Sequence, residues 1–434
     1  MFAWLAPAVV AHTLANGLTV LVVENHGTPL ITVEIGVRNG SMTEPPDYNG
    51  LSHLYEHMFF KANAAIPSQE TYFVRVQELG IQWNGSTNTE RVNYFFTTTS
   101  DHFADAMVFM RDAIVSPLFD PKELERERVV VTEELDRNEA TPGYHFWHTV
   151  TKRVWSKYPS YKDPLGRRET VLKATRAQMQ TIQRRYYVPN NAVLVVTGDV
   201  SAVDVLAQAE RLYAAWKRTG DPFRTYPLVK HPPLAKTEVV IVEQPVNTVS
   251  GELVWHGPAM AGAALRDSYA ADVLGAALAH PASRFQKALV DSGACIAASL
   301  SYYSQVNVGP ITFGFDATPD RADDCVRAVL GELAKLADAG YVTADELRRA
   351  AHTLEVDGVR ERERPSQLAH SLTFWWASAG LAYYLGYVDE LYKVTPADTA
   401  RYVRTYMLGK PYVFGVMVAP EMKLPAAHFE ALLR

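Results

Sequence analysis

Residues 53–57 read His-Leu-Tyr-Glu-His, and the interpretation of the whole chain starts from this stretch. Positions four apart lie one above the other on the same face of a helix, so His53 and His57 can reach one metal ion. Glu56 lies three residues after His53 and points into the same sector, where it can accept a proton without being a ligand. The pattern, H-x-x-E-H, therefore predicts a helix that carries two metal ligands and a general base.

A third metal ligand is expected elsewhere, because a hydrolytic zinc site usually has three protein ligands and one open position. Residues 122–135 read as a helix, with Asp120 as the N-cap and Pro121 in the first turn. Glu127 and Glu134 lie two turns apart on one face of this helix, and apolar residues near that face predict that it is buried. A buried carboxylate requires a partner, which a metal and its histidine ligands would supply.

Residues 125–134, Glu-Arg-Glu-Arg-Val-Val-Val-Thr-Glu-Glu, together with H-x-x-E-H, resemble the motifs of the pitrilysin-like zinc peptidases. This inverzincin family includes insulin-degrading enzyme and the mitochondrial processing peptidase subunits. The resemblance implies that His53, His57 and Glu134 bind one Zn²⁺ ion per chain and that Glu56 is the base. It also places Glu127 on the family's additional acidic position, which hydrogen-bonds to a ligand histidine and orients it.

A second resemblance lies at residues 83–87, Trp-Asn-Gly-Ser-Thr, where the family has a segment beside the bound peptide. It implies that Asn84, Gly85, Ser86 and Thr87 bind the substrate, an unfolded peptide added as a strand to a sheet edge. The family's opening strand pair, joined by an Asn-Gly turn, also has a counterpart at the start of this chain. The resemblance covers nearly the whole chain, and it is specific in the first half and loose in the second.

Two alternatives to these ligands can be drawn from the residues alone. His145 and His148 are a second histidine pair, but an aromatic-rich helix packing near the site explains them better. Glu133 is the natural rival of Glu134 as third ligand. Glu134 fits both the seven-residue spacing from Glu127 and the family motif, so it is the preferred ligand.

Composition excludes several classes of protein. The 434 residues are 48% hydrophobic and 21% charged, as in globular proteins, and the net charge of −6 argues against a nucleic-acid partner. No apolar run is long enough for a membrane span, and Met1 to Ala11 do not make a convincing signal peptide. The compartment stays open: periplasmic if a signal peptide has been removed, otherwise cytoplasmic. Cys295 and Cys325 cannot be a disulfide framework, and nothing in the sequence places them together.

The chain divides once, at the proline-rich residues 217–236, which read as an interdomain linker. The order of strands and helices is similar on either side, which predicts an α+β protein of two similar domains. Residues 1–216 are the expected zinc-binding catalytic domain, and residues 237–434 are a domain of similar fold without a metal site. Each is expected to be a mostly antiparallel sheet covered by helices on one face. In the family the two domains face each other as half of a clamshell.

The second half departs from the family in one respect. Family members that cleave peptides carry an arginine and a tyrosine there, and alignment on residues 283–286 puts Leu289 and Ile296 in their places. Losing an oxyanion-stabilising donor costs roughly 2.7–4 kcal/mol of barrier. A homologous partner subunit, in a heterodimer or a homodimer, is expected to supply the pair. Tyr302 and Tyr303 are possible substitutes within this chain.

Three hypotheses for function follow. The first is a zinc metallopeptidase subunit that hydrolyses unfolded peptides through a metal-activated water and a glutamate base, with a partner supplying the Arg/Tyr pair. The second is a catalytically weak structural or interaction subunit of the same fold. The third is a metal-dependent hydrolase of another substrate class. The complete set of His53, Glu56, His57 and Glu134 favours the first, because nothing structural requires all four.

Overall fold

The protein is described by a computed structural model covering residues 7–158 and 161–433, and it contains two β-sheets and many helices. The strands of the described part are β1 (Val10–Thr13), β2 (Thr19–Glu24), β3 (Leu30–Val37), β4 (Gln82–Thr87), β5 (Val92–Thr99), β6 (Ala192–Gly198), β7 (Glu238–Glu243), β8 (Val249–His256), β9 (Ala297–Tyr302), β10 (Pro310–Ala317) and β11 (Val413–Val418). The α-helices are α1 (Leu51–Phe59), α2 (Gln69–Glu78), α3 (Phe103–Val115), α4 (Pro121–Glu139), α5 (Pro142–Val154), α6 (Arg168–Leu172), α7 (Arg176–Tyr186), α8 (Ala202–Tyr213), α9 (Pro222–Thr225), α10 (Leu265–Ala279), α11 (Arg284–Gln286), α12 (Ala322–Leu336), α13 (Ala344–Arg360), α14 (Pro365–Ser378), α15 (Leu381–Leu391), α16 (Pro396–Tyr406) and α17 (Ala426–Leu432).

The first sheet has the strand order β1-β2-β6-β3-β5-β4. Only β2 and β6 pair in parallel; the other neighbours are antiparallel. The turn between β1 and β2 contains Asn16 and Gly17, and Gly17 adopts φ 92°, which glycine tolerates best. Strand β4 lies at the edge of this sheet, so one side of its backbone is free to pair with another chain.

The second sheet repeats this arrangement without a counterpart of β1. Its order is β7-β11-β8-β10-β9, and again only the pair at the start of the order, β7 and β11, is parallel. The equivalent strands are therefore β2 and β7, β6 and β11, β3 and β8, β5 and β10, and β4 and β9. This repetition confirms the prediction of two similar α+β domains.

Each sheet is covered on one face by helices of its own half. Helices α1, α3 and α8 contact strands of the first sheet, and α10 and α12 contact the second. Buried apolar side chains from these helices and strands form one core in each half. The first of these cores holds the helix that carries His53 and His57.

The opposite face of each sheet is covered by a helix from the other half, which the sequence analysis did not predict. Helix α14 packs on β3 and β6, and α5 packs on β11, β7 and β8. A Cβ at Gly36 of β3 would clash with Thr373 Cγ2, and one at Gly415 of β11 would clash with Val150 Cγ2. These glycines allow the close approach of helix to sheet. The apolar side chains that meet in the two layers are Leu21, Val23, Val193, Val195, Leu368 and Leu372 in one, and Val150, Val154, Val240, Val242, Val254 and Val413 in the other.

Buried polar contacts also join the two halves. The Lys162 ammonium lies 3.8 Å from the centre of the Trp155 ring and donates a hydrogen bond to Val308 O. Burial lowers the pKa of Lys162 to about 7, although the nearby Glu90 carboxylate opposes that shift. Glu90 itself accepts a hydrogen bond from Val306 N at 2.7 Å. Because these groups are buried with partners from the other half, separating the halves would expose both core and charge.

The prediction for the cysteines was wrong, because Cys295 and Cys325 form a disulfide. The hairpin of β9 and β10 brings the chain back so that α12 begins beside the start of β9, and the two Cα atoms lie 5.0 Å apart. Both residues are buried in the core of the second half. The two cysteines are 30 residues apart in the sequence, and only the tertiary fold brings them together.

Residues 217–236 contain one short helix, α9, and otherwise no strand or longer helix. The boundaries assigned to the two domains stay a prediction. In the described residues we find no helix with the length and apolarity needed to cross a bilayer.

Candidate metal centre

The centre is built on α1, which is buried along nearly its whole length. The helix begins after Gly50, which adopts φ 93°, and its first N–H groups are bound by the Glu44 carboxylate. Glu44 accepts hydrogen bonds from Gly50 N at 2.9 Å and Ser52 N at 2.7 Å. Burial raises the pKa of Glu44 to about 7, while these backbone donors favour the charged form. The helix end that precedes His53 is thus held by a side chain.

Three ligand atoms converge between α1 and α4. His53 Nε2 and His57 Nε2 lie 3.3 Å apart, and Glu134 Oε2 lies 3.6 Å from each of them. A tetrahedral zinc ion with bonds of about 2.0–2.1 Å has its ligand atoms roughly 3.3–3.4 Å apart, so this donor set fits zinc. Across residues 7–158 and 161–433, these three residues are the group with metal-ligating geometry. The Glu134 side chain is 30% exposed, which leaves the centre open on that side.

Glu127 holds His57 in the orientation that a metal ligand needs. Its Oε2 lies 3.0 Å from His57 Nδ1, and its Oε1 lies 2.6 Å from Lys61 Nζ. A proton on Nδ1 that is donated to Glu127 leaves the Nε2 lone pair free for the metal. The Glu127 side chain is only 7% exposed, and the Lys61 ammonium balances its charge.

The two histidines differ strongly in pKa. Burial, followed by the positive charge of His57, lowers the pKa of His53 to about 4. Burial also disfavours the charged form of His57, but hydrogen bonds to Glu127 and Glu134 outweigh it and raise its pKa to about 9. Because a ligand histidine must be neutral at the coordinating nitrogen, a metal ion would compete with a proton for His57.

Glu56 lies next to the three residues that could hold a metal ion and is not part of that group. It is 8% exposed, and its Oε2 accepts a hydrogen bond from Thr87 Oγ1 at 2.7 Å. Burial raises the pKa of Glu56, whereas the Thr87 hydroxyl and the charge on His57 lower it. A carboxylate whose pKa is raised in this way is a stronger base than an ordinary glutamate, which suits it to accept a proton.

The four residues predicted to bind substrate lie on β4 but face two ways. Gly85 and Thr87 point toward Glu56, whereas the side chains of Asn84 and Ser86 are exposed on the other face. A Cβ at Gly85 would lie 2.7 Å from Glu56 Oε1, so the Glu56 carboxylate packs directly over this glycine. The sequence pattern predicted one role for all four residues, but the alternation of side chains along the strand puts them on two opposite faces.

The rival histidines are not part of the centre. His145 Nε2 donates to Glu139 O at 2.6 Å, and His148 Nδ1 lies 2.9 Å from Asp163. They line an open cavity of about 530 Å³ beside the end of α4. Glu133 is exposed, in keeping with the choice of its neighbour.

In the second half, the positions expected to have lost the family's arginine and tyrosine have different surroundings. Leu289 is fully buried in the core, and Ile296 is 50% exposed. Tyr302 donates its hydroxyl to Pro258 O at 2.9 Å, so that hydroxyl is already engaged. Tyr303 is 45% exposed.

Sequence reasoning missed three residues that support the centre. These are Glu44 at the start of α1, Lys61 beside Glu127, and Thr87 in its contact with Glu56. Lys61 lies four residues after His57, and this spacing could have predicted a positive charge on the same helix face. Glu44 and Thr87 act through tertiary contacts, and the sequence carries no local sign of them.

Comparison with known proteins identifies the family of this chain. The family described as "Insulinase (Peptidase family M16)" matches residues 19–163, and "Peptidase M16 inactive domain" matches residues 173–354. The chain belongs to the M16 peptidase family. The resemblance to pitrilysin-like peptidases is thereby confirmed, and the metal centre lies in the half that matches the first description.

Several relatives of this M16 chain are named as zinc proteases. It is 25% identical over 209 residues to the uncharacterized zinc protease YmxG of Bacillus subtilis, which covers 48% of this chain and 51% of that protein. It is 24% identical over 362 residues to the zinc protease PqqE of Helicobacter pylori, covering 82% and 81%. It is 25% identical to a probable mitochondrial-processing peptidase subunit beta of Arabidopsis thaliana, covering 54% and 43%. The matched region thus spans about half of the first and less than half of the third.

Solved structures share the fold of the M16 chain. A protease from Helicobacter pylori superposes with a TM-score of 0.86 at 21% identity, covering 96% of this chain and 100% of the other. A "peptidase M16 inactive domain" from Pseudomonas fluorescens gives a TM-score of 0.81 at 17% identity, covering 95% and 99%. At these identities the likeness concerns the fold alone.

Proposed function

We propose that this chain is a zinc metalloendopeptidase subunit that hydrolyses unfolded peptides. The observation that carries the proposal is the convergence of His53 Nε2, His57 Nε2 and Glu134 Oε2 within 3.3–3.6 Å of one another, with Glu56 beside them. Membership of a peptidase family, with relatives named zinc proteases, supports both the metal and the reaction class.

Each of the chain's own residues has a defined task in this proposal. His53, His57 and Glu134 hold the metal, and Glu127 fixes the ring of His57 through Nδ1. When bound, zinc supplies a Lewis acid that lowers the pKa of a water toward about 7 and polarises the scissile carbonyl. Glu56 accepts the proton of the attacking water on its carboxylate and then delivers it to the leaving amine.

We propose that the substrate binds along strand β4. It is an edge strand, and its exposed side chains, those of Asn84 and Ser86, lie on the strand that also contacts Glu56. An extended peptide that pairs with β4 would gain backbone hydrogen bonds with little dependence on its sequence. This mode of binding suits an unfolded peptide rather than a folded protein.

We further propose that full activity needs a partner subunit of the same fold. The support is that Leu289 is buried, Ile296 is apolar and the Tyr302 hydroxyl is engaged, so these positions offer no free donor to a bound peptide. The name of the plant relative, a subunit beta, is in keeping with paired chains. An exposed tyrosine, Tyr303, is the candidate donor within this chain.

A second candidate function is a subunit of weak activity that serves assembly. The observation in its favour is the same absence of free donors at positions 289, 296 and 302. The fold of the Pseudomonas protein titled an inactive domain is also very similar. The complete ligand set argues for the first function.

The test measures zinc content and hydrolysis of unstructured peptides by the purified chain, alone and mixed with a candidate homologous partner. Glu134→Gln should lose zinc, whereas Glu133→Gln, one position away and exposed, should keep it. Glu56→Gln should keep zinc but lose turnover, because it removes the base and leaves the three ligands. Stoichiometric zinc in Glu134→Gln, or near-parental turnover in Glu56→Gln, would refute the assigned roles. Equal rates with and without the partner, and no hetero-complex, would refute the partner.

A further inference from the structure

Strand β4 contacts the base at two points. Thr87 Oγ1 donates a hydrogen bond of 2.7 Å to Glu56 Oε2, and the absent side chain of Gly85 leaves room for Glu56 Oε1. Both residues project from the half-buried face of the strand, two positions apart, as alternate residues of a strand do. The two carboxylate oxygens are therefore confined by the same strand from two positions.

From this arrangement we propose that Thr87 is a positioning residue for the base. The Thr87 hydroxyl fixes one oxygen of Glu56 and leaves Oε1, over Gly85, to take the proton of the attacking water. The inference rests on the proposed peptidase function. It changes the expected role of Thr87 from binding substrate to orienting Glu56.

The arrangement also links substrate binding to catalysis. The strand that orients Glu56 with one face is the edge strand to which the peptide is proposed to add. A peptide in register on β4 is then in register with the base, because both are fixed to one rigid strand. A shift of a single residue along the edge would move the scissile bond by about 3.3 Å relative to Glu56.

Matched substitutions at Thr87 separate the hydroxyl from the side-chain shape. Thr87→Val keeps the β-branched shape that strands favour and removes the hydroxyl, whereas Thr87→Ser keeps the hydroxyl and removes the methyl group. The hydrogen bond from Thr87 holds a charged group in place, so its loss should lower kcat roughly 10- to 100-fold. We expect that loss in Thr87→Val with KM within about twofold of the parent, and recovery of most of kcat in Thr87→Ser. A purely structural role for Thr87 would give the opposite order.

Thermal stability and zinc content should stay near those of the parent in both Thr87 variants, so that a fall in kcat reports the placement of the base rather than the fold. A parental kcat in Thr87→Val would overturn the inference.

Crystal structures of the zinc-loaded variants test the role of Thr87 independently of the proposed peptidase function. The Glu56 carboxylate should leave its place over Gly85 in Thr87→Val and keep it in Thr87→Ser. An unmoved carboxylate in Thr87→Val overturns the inference whatever the activity. If the parent hydrolyses no peptide in any mixture, the proposed function is refuted, and the position of Glu56 in these structures still decides the role of Thr87.

Discussion

Replacing Glu127 with glutamine should weaken zinc binding without removing a ligand. Glu127 uses both oxygens: Oε2 faces His57 Nδ1 at 3.0 Å, and Oε1 faces Lys61 Nζ at 2.6 Å. Burial raises the pKa of this carboxyl, but the two donors more than offset it and hold the pKa below its ordinary value. Glutamine has the same shape and one acceptor oxygen, so either His57 or Lys61 must then face an amide NH₂ group.

The expected loss follows from this contact. If the amide turns its nitrogen to His57, the ring loses the acceptor that keeps a proton on Nδ1 and a lone pair on Nε2. Losses of this kind weaken metal binding roughly 10- to 100-fold, or about 1.4–2.7 kcal/mol. The effect should fall on zinc affinity, because Glu134, His53 and His57 remain as ligands.

A competition titration against a chelator of known affinity measures this change directly. Glu133→Gln is the matched control, since it makes the same chemical change on the same helix at an exposed position. The control should bind zinc like the parent. Parental affinity in Glu127→Gln would mean that the carboxylate charge beside His57 does not strengthen zinc binding, and the reasoning would fail.

Three further predictions concern stability and domain organisation. Replacing Cys295 and Cys325 together with alanine removes a link across 30 residues, which should lower the free energy of unfolding in urea by roughly 3–4 kcal/mol; an unchanged midpoint would contradict the link. Burial raises the pKa of Glu252 to about 7, so the folded chain holds this proton more tightly than the unfolded chain, and stability is lost as the pH rises from about 4.5 to 7. The free energy of unfolding of Glu252→Gln, measured by chemical unfolding, should therefore rise relative to that of the parent by up to about 3 kcal/mol between pH 4.5 and pH 8. A difference that does not change with pH would refute this. Trypsin should cut first within residues 217–236, where exposed lysines lie outside regular structure, and first cleavage within residues 121–139 would refute the proposed linker.

The grouping of residues at the candidate metal centre could be predicted because its signals are local. His53, Glu56 and His57 lie within five residues, and the seven-residue spacing of Glu127 and Glu134 reports one helix face whatever the rest of the chain does. Burial of Leu124 and Val131 near that face confirms the periodicity argument, and α4 does begin after Asp120 with Pro121 in its first turn. The two similar sheets also followed from the repeated order of strands and helices.

Contacts between distant residues could not be predicted in this way. The bond from Thr87 to Glu56, the disulfide and the packing of α14 on the first sheet each depend on three-dimensional proximity. The alternation along β4 could have been predicted, because successive strand residues point to opposite faces and this separates Asn84 and Ser86 from Gly85 and Thr87. Only the position of α1 reveals which of the two faces meets the base.

The exchange of α5 and α14 between the sheets has a consequence for how the chain is made. The apolar face of α5, with Val150 and Val154, is completed by Val413 of β11, which leaves the ribosome about 260 residues later. At 5–20 residues per second this interval lasts roughly 13–50 s. During that time the first half exposes the apolar face of α5, and one face of its sheet stays uncovered until α14 is made. Nascent chains should thus be most prone to aggregation, and most dependent on chaperones, after the first half emerges and before β11 is made.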